Sequence, residues 1–308
     1  MASEPILAAL DVAVVDRSRS GPSVLSDYWV LTKPEVNLLI AITTVAAFCA
    51  GSSVSLLHFP WMLLFNTLLG TVLVASGAAT LNQLIERRFD ALMRRTARRP
   101  IVAGRIGLLS ALMFGIVLSL AGLLYLALAA CLAASLLALL TLAGYLFLYT
   151  PLKRRTPLCT FVGAFPGAMP VLIGFAAAAG GLNAEAWQLY VILFLWQFPH
   201  FMAIAWMYRE DYARAGYKVL PSGGRTHRFL KWQSVLPAAV LVPVTIVPMV
   251  LRQVGPVIEA GMLLLGLGFV FYAVRLAVVR SNISARWLLL ASIVYLPLVF
   301  VLEVLARM

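Results

Sequence analysis

Asn82, Glu86 and Asp90 recur at intervals of four residues. A helix turns by about 100° per residue, so each step drifts by only about 40° and the three oxygen-bearing side chains stack along one helical face. Oxygen ligands in such a row suit a hard divalent cation. Around them lie Arg87, Arg88, Arg94, Arg95, Arg98 and Arg99, within a segment, 82–105, that holds seven arginines and two acids. Guanidinium groups bind phosphate through paired donors, so the combination points to a diphosphate bound through magnesium. The competing account is ordinary helix-end chemistry, with Asp90 paired to Arg94 one turn on.

A second polar group closes a later apolar stretch, LWQFPHFMAIAWMYREDYARAGYKVLP, which places Trp196, Gln197, His200, Arg209, Glu210 and Asp211 around a membrane helix and its exit. Polar and ionisable residues at membrane depth are functional suspects. Tyr208, Asp211 and Tyr212 fall within one turn, and Asp211 with Glu210 would supply a second cation site facing the first. Glu210 with Arg214 as an i,i+4 pair is the bland alternative. His200, behind Pro199, has two readings: an iron ligand, or a hydrogen-bond partner for a neighbouring helix. Between the two poles, Tyr149 to Pro157 carries Lys153, Arg154 and Arg155 in succession, either as a topological anchor or as cations that reach a diphosphate. The next helix holds Gly163, Gly167 and Gly174 with Pro166 and Pro170, a composition for close packing, a kink and a cavity wall. His58 and His227 read as surface residues.

The elements that must position these groups are membrane helices. The chain has 308 residues, 62% hydrophobic and 12% charged, with a mean hydropathy of +0.96, which is the profile of a polytopic membrane protein. Apolar stretches at 36–57, 61–81, 106–127, 129–149, 158–179, 187–207, 233–251, 257–279 and 286–305 predict nine transmembrane helices in an all-α fold. The boundary near 127–131 has no charge or proline to mark it. A polar and aromatic segment, 27–35, predicts an interfacial helix, and residues 1–26 a flexible cytoplasmic tail ahead of one domain over 27–308. No cleavable signal is visible, because the first apolar run is short and interrupted by Asp11.

The net charge of +12 does not indicate nucleic acid, since the basic residues sit in short loops between apolar spans. All the lysines and arginines except Arg252 and Arg307 fall in the first 35 residues, the 82–105, 150–157 and 208–232 loops and the 275–286 turn. That asymmetry predicts a cytoplasmic N-terminus, an external C-terminus and one charged membrane face. A long charged loop follows both the second and the sixth span, a hint of duplication. Cys49, Cys131 and Cys159 have no metal-ligand spacing and read as small buried hydrophobes.

These residues resemble the intramembrane prenyltransferases of the UbiA type, and among them the branch that prenylates heme. The resemblance covers about 27–305. It is carried by Asn82, Glu86 and Asp90 continued by Ala91-Leu92-Met93-Arg94-Arg95-Thr96 and Arg98-Arg99-Pro100. Further agreement comes from Leu31-Thr32-Lys33-Pro34, Tyr149-Thr150-Pro151-Leu152-Lys153-Arg154, the Gly163 to Gly174 helix, Trp196-Gln197 with Pro199-His200-Phe201, and Asp211-Tyr212 before Ala215-Gly216. Cys159 stands where many relatives have Asn, and Phe165-Pro166 replaces a pair of small residues. The resemblance implies nine helices around a central cavity open to the cytoplasm and to lipid, in the cell (bacterial inner) membrane. It implies farnesyl diphosphate and heme B as substrates, heme O as product, and a heme A synthase or oxidase assembly factor as protein partner. It further implies magnesium held by Asn82, Glu86, Asp90 and Asp211, with Arg94, Arg98, Lys153 and Arg154 on diphosphate and Tyr149, Tyr208, Trp196 and His200 lining the substrates.

Two other functions share parts of this pattern. A sister enzyme prenylating an aromatic quinone precursor would keep the diphosphate site and change the acceptor. An anion transporter would use the arginines to bind a passing anion and the broken helices to gate. Magnesium-dependent release of diphosphate separates enzyme from carrier.

Overall fold

The computed structural model describes residues 23–52, 58–221 and 225–306. Its helices are α1 (Val24–Leu31), α2 (Pro34–Gly51), α3 (Trp61–Asp90), α4 (Leu108–Ala129), α5 (Leu132–Ala143), which continues through a π-helical turn at Gly144–Tyr149 into α6 (Thr150–Leu152), α7 (Cys159–Ala179), α8 (Ala184–Met207), α9 (Arg209–Arg214), α10 (Arg225–Leu251), α11 (Pro256–Val279) and α12 (Asn282–Leu305). Among the described residues nine helices are long and apolar enough to cross a membrane, with 132–152 counted as one. The all-α, nine-span reading is borne out. Most of the expected tail lies outside the described residues, and its last four positions, 23–26, already cap and open α1.

Local chemistry explains the boundaries. Ser23 caps α1 by accepting from Ser26 N–H, and α1 exposes Leu25, Trp29 and Val30, as an interfacial helix should. Pro34 opens α2 at its first turn, where a missing N–H costs nothing. The unmarked break after α4 is made by Cys131, whose extended backbone ends one helix while its sulfur accepts from Ala134 N–H at 3.3 Å and caps the next. A thiol cap has no sequence signature, so the turn was invisible. Helix α7 runs through Pro166 and Pro170 without interruption. Its thirty residues make α3 roughly 45 Å long against a bilayer core of about 30 Å, so its last third carries Asn82, Glu86 and Asp90 out of the apolar layer.

Two large clusters form most of the core among the described residues. One gathers Leu172, Phe175, Leu189, Ile192, Met202, Leu241, Phe269 and Val299 from α7, α8, α10, α11 and α12, and the other joins Phe48, Leu64, Val74, Leu126 and Ile173 from α2, α3, α4 and α7. In lipid, helices associate through close backbone approach rather than through burial of oil from water. The seam between α3 and α4 is built that way, with Gly77 facing Gly115. A Cβ at 77 would lie 2.7 Å from the Gly115 carbonyl oxygen and 2.8 Å from Ser119 N. Gly77→Ala is therefore expected to destabilise the protein by about 1–3 kcal/mol. Gly268→Ala, on α11 with nothing within 4 Å, is expected to leave the melting temperature equal or slightly raised. Equal melting temperatures for the two variants would contradict the packing account.

Candidate functional site

The long α3 delivers its oxygen ladder to a point where four other segments meet it. Asn82, Glu86 and Asp90 are all buried, at 1%, 6% and 1% exposure, and each is matched by a group from elsewhere in the chain. Asn82 donates through Nδ2 to Thr150 Oγ1 at 3.1 Å, while its Oδ1 accepts from Lys33 Nζ at 3.2 Å and from the Tyr145 hydroxyl at 3.4 Å. Glu86 accepts Lys153 Nζ on both oxygens, at 2.9 and 3.1 Å. Asp90 Oδ2 pairs with Arg99 at 2.6 Å, and its Oδ1 is buried without a hydrogen-bond partner.

Each cation is placed by a local device. Lys33 sits in the left-handed region at φ 52°, uncommon for a residue with a side chain. The turn is held by Gln83 Nε2 on the Leu31 carbonyl at 2.9 Å and Asn37 Nδ2 on the Thr32 carbonyl at 2.9 Å. Partial burial, then the Arg99 and Lys153 charges, pull the Lys33 ammonium down to about 7. Burial also works against the charge of Lys153, but Tyr149 and the Glu86 carboxylate hold its ammonium well above the ordinary lysine value. Lys153 Nζ lies 4.5 Å above the Tyr149 ring, which stands 5.4 Å from Tyr145. Both tyrosines belong to the π-helical turn, a feature frequent at functional sites. Gly163 makes room for Tyr149, since a Cβ there would lie 2.5 Å from Tyr149 Cδ2.

Asp211 comes to the same face. Its carboxylate accepts the Arg94 and Arg95 backbone N–H groups at 3.4 Å each and pairs with Arg214, so it ties down the arginine loop that follows α3. Glu210 is 83% exposed beside Arg209, which removes it from the expected second cation site. Among the described residues no three His, Cys, Asp or Glu side chains cluster as a metal site, and the four expected ligands do not converge as one set. What fits a hard cation is the α3 row itself, where two carboxylates and an amide oxygen are aligned and the Asp90 Oδ1 atom lacks a partner.

The other expected contacts divide. Arg94 and Arg98 are exposed, because the loop over 91–107 turns them to solvent and Arg99 inward. Arg154 is likewise exposed and lies 4.0 Å over the Phe89 ring. Tyr208, half-buried at the end of α8, carries Arg95 at 4.9 Å over its ring. Trp196 and His200 lie apart from these cations, stacked on each other at 4.5 Å and fixed to α12 through Ser292: Trp196 Nε1 donates to its carbonyl and His200 Nδ1 meets its hydroxyl, both at 2.8 Å. Gln197 fills the notch of Gly167 and donates to the Ala164 carbonyl at 3.0 Å. His58 and His227 are exposed.

The sequence reading gave no role to Lys33, Tyr145 or Thr150, and took Arg99 only as one of six arginines around the row. Lys33 carried a signal, a cation directly before a helix-opening proline. The π-helical position of Tyr145 carried none.

Comparison with known proteins follows the same outline. The pattern of the UbiA prenyltransferase family matches residues 38–301. A protein of Solibacter usitatus called protoheme IX farnesyltransferase is 47% identical over 289 residues, 92% of this chain and 99% of that one. A protein of Koribacter versatilis with the same name is 43% identical over 92% and 94% of the two chains. Among solved structures, a digeranylgeranylglyceryl phosphate synthase superposes with a TM-score of 0.71 at 17% identity, over 92% and 98% of the chains. A UbiA homolog from Archaeoglobus fulgidus bound to GPP and Mg2+ superposes with a TM-score of 0.66 at 18% identity, over 90% and 99%. At these identities the structures speak for the fold.

Proposed function

The chain belongs to the UbiA prenyltransferase family, and on that footing we propose that it transfers the farnesyl group of farnesyl diphosphate to a vinyl group of heme B, with addition of water, to give heme O. The relatives named for protoheme IX, similar over nearly the whole of both chains, support the acceptor. The observation that carries the donor half is the meeting of Lys33, Lys153 and Arg99 on the buried α3 row.

Cleaving the allylic C–O bond leaves positive charge on the farnesyl carbon and extra negative charge on diphosphate. Lys33, Lys153 and Arg99 are already fixed by protein groups, so they meet the leaving group with little reorganisation. Asn82, Glu86 and Asp90 would hold magnesium, which when bound neutralises the diphosphate oxygens as a Lewis acid. Asp211 positions the arginine loop. The Tyr145 and Tyr149 faces attract cations, and with the surrounding apolar wall they shield the allylic carbon from water. The heme vinyl carbon then forms the new C–C bond, the positive charge passes to the remaining vinyl carbon, and water adds there and loses a proton. We place this charged face in the cytoplasm, with the N-terminus inside and the C-terminus outside, from the lysine and arginine distribution.

His200 suits the acceptor side. The Ser292 hydroxyl donates its proton to the Leu289 carbonyl at 2.6 Å, so it accepts from His200 Nδ1, and Nε2 is left as the nitrogen with a free lone pair. Histidines that ligate metals are commonly oriented by such a bond at the other ring nitrogen. His200→Ala is expected to weaken heme B binding and to change the Soret band in an optical titration, and a titration like that of the parent protein would remove His200 from the site.

The proposal is tested by offering purified protein farnesyl diphosphate and magnesium with equimolar heme B and 4-hydroxybenzoate. Prenylated heme is expected. Prenylated benzoate would favour the sister activity, and intact farnesyl diphosphate a carrier.

A further inference from the structure

Tyr217 lies between the two charged poles and has no part in the site as described so far. Gly216 adopts φ 70°, a left-handed turn that glycine takes without strain. Beyond it the chain folds back, and Tyr217 N–H donates to the Tyr212 carbonyl at 2.9 Å while Lys218 N–H donates to the Lys153 carbonyl at 2.7 Å. The second bond ties this segment to the backbone of the lysine that holds Glu86. The Tyr217 ring enters between Phe89 and Tyr212, each with its ring centre 6.0 Å away, and packs on Met93 and Ala215.

Only 7% of the residue is exposed, and the charges that act on its hydroxyl are those of Glu86, Lys153 and Asp90. The hydroxyl is turned toward Glu86, close enough to favour that carboxylate. Yet it is buried and falls short of hydrogen-bonding geometry with Glu86 or any other partner, while Lys153 donates to both Glu86 oxygens. Buried hydroxyls are nearly always paired, since an unpaired one has given up water and gained nothing in exchange. Phenylalanine would pack among Phe89, Tyr212 and Met93 equally well, so packing accounts for the ring and leaves the oxygen unexplained. A polar atom kept at such a cost beside a ligand site is explained by a partner that arrives with the ligand.

We propose that the Tyr217 hydroxyl donates a hydrogen bond to the diphosphate of the prenyl donor, in a contact that exists only when that anion is bound. The inference rests on the prenyl-transfer reading and adds to it a residue and a direction of recognition. An anion that engages Lys153 comes to the side of Glu86 where Tyr217 waits. A phenol can donate to a phosphate oxygen without adding charge to a site that already holds Lys33, Lys153 and Arg99. The bond is made to diphosphate whether or not the prenyl chain is attached, so inorganic diphosphate reports on it as well as the substrate does.

Tyr217→Phe removes one oxygen atom and nothing else. In the full-length purified protein with magnesium, calorimetry is expected to show affinity for both farnesyl diphosphate and inorganic diphosphate reduced by about tenfold, the effect of losing a hydrogen bond to a charged group. Heme B affinity should stay as in the parent, and the melting temperature without ligand should be equal or higher. Parent-like diphosphate affinity in the variant would overturn the contact and leave the proposed function standing. A lowered melting temperature without ligand would also overturn it, by assigning the hydroxyl to the fold. A parent protein that binds neither diphosphate compound would overturn the contact and the prenyl-transfer reading together.

Discussion

Asp90→Asn is expected to reduce heme O formation by about a hundred- to a thousandfold, with the protein still folded and still able to bind heme B. The substitution keeps the size of the side chain and one oxygen for Arg99, and removes the charge. Asp90 is 1% exposed and its Oδ1 has no partner in the fold, so that oxygen makes no structural contact and calls for a functional account. The burial of Asp90 against Arg99 makes alanine the poorer test, because the arginine would lose its partner and the cost would fall on stability. Turnover by Asp90→Asn close to that of the parent would sink the assignment of the α3 row to the metal.

Lys153→Gln is expected to produce two losses of different origin. Donor affinity should fall by about 1.5–3 kcal/mol, the value of a hydrogen bond to a charged group. Stability should fall as well, by about 3 kcal/mol, because Glu86 is left buried without its counter-charge. Arg154→Gln is the contrast, since that arginine lies exposed over Phe89, and it should change either quantity by less than about 1 kcal/mol. Calorimetry with farnesyl diphosphate and thermal unfolding of the two variants separate these effects. Equal behaviour of Lys153→Gln and Arg154→Gln would return the loop to the role of a topological anchor.

The contrast between these neighbouring cations indicates what could be read from the chain. Charge concentrated in an apolar sequence stands out, so the α3 row, Lys153 and the nine spans were legible from type and period. Which arginine of Arg94, Arg95, Arg98 and Arg99 turns inward depends on how the loop over 91–107 is folded. That is settled by Asp211 on the Arg94 and Arg95 amides and by Thr96 Oγ1 on the Asp90 carbonyl at 2.9 Å, contacts 117, 116 and six residues apart that no local pattern announces. Lys33 was hidden for a similar reason, because its reach to Asn82 depends on a left-handed turn held by Gln83 and Asn37. Asp211 was seen as a functional acid, and its hold on the arginine loop could come only from its partners. The π-helical turn that sets Tyr145 beside Tyr149 lies within a uniformly apolar stretch where α and π periods read alike.

The central claim is that this membrane bundle joins farnesyl to heme B and hydrates the product. It is tested most directly by incubating the purified protein with farnesyl diphosphate, heme B and magnesium in water enriched in heavy oxygen, followed by mass spectrometry of the extracted heme. The account predicts a product carrying one farnesyl group and one hydroxyl, with the heavy isotope in that hydroxyl and its formation lost in Asp90→Asn. Unmodified heme recovered beside hydrolysed farnesyl diphosphate would contradict it.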